Sequence, residues 1–229
     1  MYKDQNNFLV NRNQMQEIDN YAINTLKIPS ICLVERAALA VLKNIDLKIR
    51  HSFAIVVGVG NNGADGLALA RNLLAMGKYV DIYIVGNLSK KSKDFSLNLE
   101  AVKMMTDNVY QVNTIADIEF MEKNLDKVNT IVDGIFGTGL SRTIEGQFAF
   151  VIDLINRKTT YTISIDLPSG LDASSGESLG DVVDSDLVVT MQLMKEGLEK
   201  NPYFKNKTVI EDIGLPLMAI EKVLTKNKE

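Results

Sequence analysis

Apolar side chains recur at helical spacing at the start of this chain and then, past His51, gather into short unbroken runs. Met15, Ile18, Ala22 and Leu26 share one face of a helix predicted over residues 13–26, with Asn13 and Gln16 in a capping arrangement at its start. Pro29 and Ser30 break that pattern and open a second helix through residue 45. The run 53–59 (FAIVVGV) is rich in β-branched residues and suits a strand covered on both faces. A helix is predicted over 67–76, with Gly77 at the position of a C-terminal cap. Further strands are predicted at 79–85, 130–132, 161–165, 187–191 and 208–210, with a short extended piece at 109–112. Further helices are predicted at 96–105, 115–125 and 145–156.

Strands alternating with helices argue for an α/β fold, a mostly parallel central sheet between two helical layers, preceded by a helical extension. Each crossover is then right-handed. No repeat, low-complexity tract or linker divides the chain. Residues 1–229 read as one domain, with N-terminal helices over 1–50, the sheet-bearing core over 51–216 and a C-terminal helix and tail over 217–229. The lysine-rich piece 90–93 and the closing KNKE read as solvated surface.

Composition narrows the class. The 229 residues are 46% apolar and 24% charged, the balance of a folded globular protein. A chain of this length buries enough surface to need neither disulfides nor metals for its core. The single cysteine, Cys32, excludes an internal disulfide and paired-cysteine zinc sites, and reads as a packing residue in an apolar helix. The single histidine, His51, excludes histidine-rich metal centres and precedes the first strand, away from any crevice. A net charge of −4 suggests no nucleic-acid partner, and no apolar run reaches the ~18 residues of a membrane span. The polar opening MYKDQNNFLV lacks the apolar stretch of a leader, so a reducing, cytoplasmic setting is expected.

Ligands of open parallel sheets bind beyond the carboxyl ends of the strands, where strand order reverses. Three loops leaving such ends are rich in glycine, acids and hydroxyls: GVGNNGADG, DGIFGTGLSRT and DLPSGLDASSG. The first fits G-x-G-x-x-G at Gly58, Gly60 and Gly63, a pattern that lets backbone approach a phosphate at a helix N-terminus. A nicotinamide dehydrogenase would carry an acid at the end of the next strand, but Val85-Gly86-Asn87 has none. A nucleotide-like ligand held in some other way is the expectation. Asp133 and Asp166 each end an apolar strand, a place where carboxylates do acid–base work or hold ions. Asn62, Asp133 and Ser169 offer two neutral oxygens and one charged one, a set that favours a monovalent cation over Mg²⁺ or Ca²⁺. Arg142 lies in the second of these glycine-rich loops, DGIFGTGLSRT, and is able to meet a phosphate. No G-x-x-x-x-G-K-[ST] occurs, and the Tyr203/Lys207 pair stands beside Pro202, outside the crevice loops, so its Tyr-x-x-x-Lys spacing reads as chance.

These motifs, with Leu33-Val34-Glu35-Arg36-Ala37 and the closing VVTMQLMKEGL and VIEDIGLP, resemble the NAD(P)H-hydrate epimerases, the YjeF N-terminal domain family. The resemblance runs in order from about residue 15 to 216. It implies a Rossmann-like fold and an epimerase that interconverts the R and S forms of NADHX and NADPHX, with a separate dehydratase restoring the S form to NAD(P)H. It implies substrate contacts at Asn61, Asn62, Gly63, Ala64 and Asp65, at Gly137, Thr138, Gly139, Leu140, Ser141, Arg142 and Thr143, and at Asp166. It further implies a potassium ion on Asn62, Asp133 and Ser169, a homodimer, and an assisting role for Lys195. Asp166 is the expected acid–base group. Ala64 stands where the family usually has glycine, a change tolerable if its φ is negative. The rival readings are a non-catalytic member of the same fold and a nicotinamide-dependent oxidoreductase.

Overall fold

Residues 8–226 are described here from a computed structural model; residues 1–7 of the polar opening and 227–229 of the tail lie outside them. The chain starts with strand β1 (Leu9–Val10) and helix α1 (Arg12–Asn20), which runs on into a π-helical turn at Tyr21–Thr25. The helix is capped two residues earlier than predicted. Asn11 Oδ1 accepts from the Gln14 N–H, and Gln14 Oε1 accepts from the Asn11 N–H, each at 3.0 Å. The spacing Asn-x-x-Gln occurs at both places, and the pair at Asn11 and Gln14 is the one that forms the reciprocal cap. Helix α2 (Ser30–Lys43) buries Leu33, Val34, Ala37, Ala38 and Val41 on one face. Cys32 falls on the other face and is exposed, so it is not the packing residue expected.

The core follows as β2 (Ser52–Val57), α3 (Asn61–Ala75), β3 (Tyr79–Val85), α4 (Lys93–Lys103), β4 (Val109–Val112), α5 (Ile115–Leu125), β5 (Thr130–Gly134), α6 (Gln147–Asn156), β6 (Tyr161–Ile165) and β7 (Leu187–Met191). The chain then forms β8 (Met194–Lys195), α7 (Glu196–Lys200), α8 (Pro202–Lys205), β9 (Thr208–Glu211) and α9 (Leu217–Lys226). Seven strands make one sheet, in the order β4-β3-β2-β5-β6-β7-β9, and every neighbouring pair is parallel. Along β2, Phe53, Ile55 and Val57 face the layer that holds α1–α4, while Ala54 and Val56 face α5 and α6. Both faces are dry, and each fully buried large aliphatic contributes roughly 1.5–3 kcal/mol.

Two features of this layout prepare a site. Chain order runs outward from β2 to β4 and then returns to β5 on the other side of β2, so strand order reverses between β2 and β5. Helix α3 also begins at Asn61, six residues before the predicted start, so Asn61–Asp65 form its first turns and not a loop. Asn, Gly and Asp are poor helix formers, but here the backbone must turn straight off β2 onto the sheet. Gly58 and Gly63 permit it: a Cβ on Gly63 would overlap the Gly58 carbonyl, and one on Gly58 would overlap the Ile135 carbonyl.

Candidate active site

The carboxyl ends of β2, β3, β5 and β6 open into a cavity of about 850 Å³, roofed by Met15, Gln16, Asp19 and Ile23 of the N-terminal helical segment. Its floor is built from the loops after those strands. Gly60 caps α3 without a side-chain hydrogen bond, so the first N–H groups of a 15-residue helix face the cavity with their partial positive charge.

Asp166 directly follows β6 with φ +67, a left-handed backbone that ordinary residues rarely adopt. Its N–H donates to the Val189 carbonyl at 2.8 Å, which ties this conformation to the neighbouring strand. Oδ1 is fully engaged: Lys195 Nζ at 2.5 Å, the Met191 N–H at 3.2 Å and the Thr190 hydroxyl at 3.3 Å. Oδ2 lies on the other side, against Gly137. A Cβ on Gly137 would stand 3.2 Å from both Asp166 Oδ2 and Asn62 Oδ1, so the bare glycine leaves these two oxygens room along one wall.

Lys195 is completely buried, and Nζ also donates to the Met191 carbonyl at 2.7 Å. It is held by the chain's own start, because β1 pairs in parallel with β8 and places Val10 opposite Lys195. Burial pushes the Asp19 carboxyl up to about 7; the Lys195 ammonium draws it down and the Asp166 carboxylate raises it further. Burial also drives Asp65 well above the usual carboxylate range, reinforced by Asp166, Asp19 and Asp94. Burial and mutual repulsion thus favour the protonated form at both Asp19 and Asp65.

Beneath the cavity Asp133 is fully buried. Oδ1 accepts from the Ser169 hydroxyl at 2.5 Å and the Ile135 N–H at 3.2 Å; Oδ2 accepts from the Ser164 hydroxyl and the Ser169 N–H, both at 2.8 Å. Burial raises its carboxyl, and these bonds, led by Ser169, oppose the rise. Asn62 sits against the same turn, its carbonyl beside Gly134, but no hydrogen bond joins its side chain to Asp133 or Ser169, and its Nδ2 is buried without a partner.

Residues 30–197 match the family model described as YjeF-related protein N-terminus. A protein of Anaerococcus prevotii named NAD(P)H-hydrate epimerase is 60% identical over 94% of this chain and 99% of its own length. Proteins of the same name from Oenococcus oeni and Limosilactobacillus reuteri are each 36% identical over 90% of this chain and 96% of their own. This chain belongs to the YjeF N-terminal family. The crystal structure of yeast ynu0, YNL200c, shares its fold, with a TM-score of 0.78 at 21% identity over 94% of this chain and 93% of that one. The Rossmann-like, parallel-sheet architecture expected from the sequence is the observed one.

Of the residues the family resemblance implies for substrate, Asn61, Asn62, Asp65, Gly137, Thr138, Gly139, Leu140, Arg142 and Asp166 line the cavity. Gly63 and Ala64 are buried under it in α3, and Ser141 and Thr143 are exposed outside its lining. Ala64 lies in regular helix with negative φ, its N–H on the Gly60 carbonyl at 3.1 Å, and its methyl joins the core. The methyl therefore stands clear of the ligand space. Of the ion trio, Asp133 and Ser169 touch directly, and Asn62 flanks them. Asp19 was not singled out from the sequence. The signal open to such a reading is its place four residues after Met15 on the predicted helix, on a face that is otherwise apolar towards the core. Tyr203 and Lys207 stand together at the surface near Asp184, away from the cavity.

Proposed function

We infer that this chain epimerises hydrated nicotinamide nucleotides, interconverting the R and S forms of NADHX and NADPHX, with Asp166 as the proton-transferring group. The observation that carries the reading is the Gly137 wall, where Asn62 Oδ1 and the free Asp166 Oδ2 converge within an acid-lined cavity. C6 of the hydrated ring bears both the ring nitrogen and a hydroxyl. In the ring-opening route Asp166 takes the hydroxyl proton, the C6–N bond breaks with its electron pair passing to nitrogen, and an aldehyde forms. Rotation and reclosure from the other face, with return of the proton, invert the centre. In the dehydration route the same carboxyl protonates the leaving hydroxyl and recovers a proton from the water that re-adds. Lys195 keeps Asp166 in place and balances its charge in either route.

The diphosphate belongs at the open N-terminus of α3 and near Arg142, which has no ion-pair partner among the described residues. A potassium ion fits Asn62, Asp133 and Ser169. Asp133 is a buried carboxylate to which no lysine or arginine of the described residues pairs, and such charges are normally matched by a cation. If the Ser169 hydroxyl turns to the Phe136 carbonyl, 3.3 Å away, Ser169 Oγ and Asp133 Oδ1 both keep lone pairs free. The ion would supply a fixed positive charge under the Asn62 turn. Family resemblance supports a homodimer and coupling to a dehydratase that consumes the S form; the single cysteine suits a reducing, cytoplasmic setting, and the unbroken strand–helix alternation suits a single domain over residues 1–229.

The test is to mix the protein with R-enriched NADHX in K⁺ or Na⁺ and follow the isomer ratio by chromatography. Relaxation well above the spontaneous rate, and faster in K⁺, is expected; relaxation at the spontaneous rate rejects the epimerase reading. Asp166→Asn is expected to slow the protein-dependent rate about a hundredfold or more. A rate within a few-fold of wild type rejects the role given to Asp166.

A further inference from the structure

Of the loops after β2, β3, β5 and β6 that border the cavity, the one after β3 has no part in the reaction proposed above. Its sequence, Gly86-Asn87-Leu88-Ser89-Lys90-Lys91-Ser92-Lys93, holds three lysines and no acid. In dinucleotide-binding sheets the adenosine ribose lies at the end of the second strand, where an acid holds the 2′-hydroxyl or a cation accepts a 2′-phosphate. Here β3 is that second strand, next to β2 on the side away from β5.

The loop has a defined shape. Asn87 Oδ1 accepts from the Ser89 N–H at 2.9 Å and starts a single 3₁₀ turn over Leu88–Lys90. Ser92 Oγ caps α4 by accepting from the Phe95 N–H at 3.1 Å, and the Ser92 N–H donates to the Val59 carbonyl at 2.9 Å. The second bond fastens this loop to the first glycine loop, two residues from Lys90. Lys90 borders the cavity, and no carboxylate of the described residues pairs with its ammonium. Asp94, the nearest acid in sequence, is largely buried in the first turn of α4, though it too borders the cavity. Along the cavity Asp19 and Asp166 thus surround Lys195 at the β6 end, and Lys90 stands at the β3 end. Three strand spacings separate β3 from β6, about 14 Å, a span that a dinucleotide bridges and a mononucleotide does not.

We propose that Lys90 reads the 2′-phosphate, so that the chain acts on the phosphorylated hydrated dinucleotide in preference to the unphosphorylated one. The proposal rests on the epimerase reading above and adds to it the second end of the substrate. With the hydrated ring at Asp166 and the diphosphate over the α3 N-terminus and near Arg142, the 2′-phosphate of the distal ribose reaches the β3 loop, where Lys90 offers it an ammonium unpaired among the described residues.

The test is kcat/KM for NADHX and NADPHX, measured on wild type, Lys90→Ala, Lys90→Glu and Lys91→Ala, whose lysine lies outside the cavity lining. Wild type is expected to favour NADPHX. Lys90→Ala is expected to cost NADPHX about tenfold more than NADHX, one charge-assisted contact, and Lys90→Glu more than that. Lys91→Ala is expected to leave the ratio in place, and the wild-type preference is expected to shrink as ionic strength rises. A ratio near one in wild type, a ratio unmoved in both Lys90 variants, or an equal fall in Lys91→Ala would overturn the proposal while epimerase activity stands. Turnover of neither substrate above the spontaneous rate would overturn the epimerase reading, and the proposal with it.

Discussion

Asp166 and Asp19 show how single side chains are tuned in this cavity. The left-handed backbone of Asp166 costs about 1–3 kcal/mol, and it turns one carboxylate edge to Lys195 and the other to the Gly137 wall. Asp19 carries a cost of another kind. Its carboxyl titrates at about 7 in the folded chain against 3.8 in its ordinary state, so the folded protein holds the proton more tightly. Stability is then fully present below about 4 and falls as pH rises towards 7, by up to roughly 4 kcal/mol. Asp19→Asn is expected to raise the thermal midpoint more at pH 8 than at pH 5; an identical change at both pH values would reject this assignment. Asp133 and Asp166 were legible because each is a carboxylate ending an apolar strand, which breaks the local pattern. Asp19 was not: it follows Met15 by one helical turn, but its sequence neighbours Gln16, Glu17 and Asn20 are polar, and one more acid among them reads as ordinary surface.

Helix α3 is the element on which the site turns. Its first turns are Asn, Asn, Gly, Ala and Asp, of which all but Ala prefer a loop locally. Contact with Gly58 and β5 overrides that preference. Gly63→Ala is expected to destabilise by about 2–3 kcal/mol or more in urea unfolding, since its methyl meets rigid backbone at the Gly58 carbonyl. Ala64→Gly is expected to cost only ~1 kcal/mol from helix propensity, plus the loss of a small buried methyl. If the Gly63 variant proves the milder of the two, the close helix–strand approach is not what holds this turn. The short pieces β1, β8, α7 and α8 were not anticipated at all. At two to five residues they carry no periodicity to detect, and only their tertiary neighbours give them structure.

Across the whole molecule, the N-terminal arm closes the cavity and supports its far wall. Val10 lies opposite Lys195, the Arg12 N–H donates to Ser174 Oγ at 3.0 Å, and the Arg12 guanidinium pairs with Asp172 in the loop beyond Asp166. The Ser174 and Ser175 N–H groups, both at 2.8 Å, also hold Asp172, and together with Arg12 they keep its carboxyl below the usual range against its burial. Arg12→Ala is expected to speed amide hydrogen exchange over residues 9–25 while β2 and β5 stay protected, and to raise KM for NADPHX more than it lowers kcat. Uniform loss of protection through the sheet would instead make the arm part of the global core. The seven strands of the main sheet, most helices, the α/β class and the family were all written in local periodicity and motif, because an apolar run between glycine-rich turns has few ways to be buried. Which residues share the cavity was decided by the reversal of strand order between β2 and β5, and by an arm that returns some 180 residues along the chain to lie beside β8. Local sequence carries no term for either, since the free energy of such contacts exists only once segments distant along the chain have met.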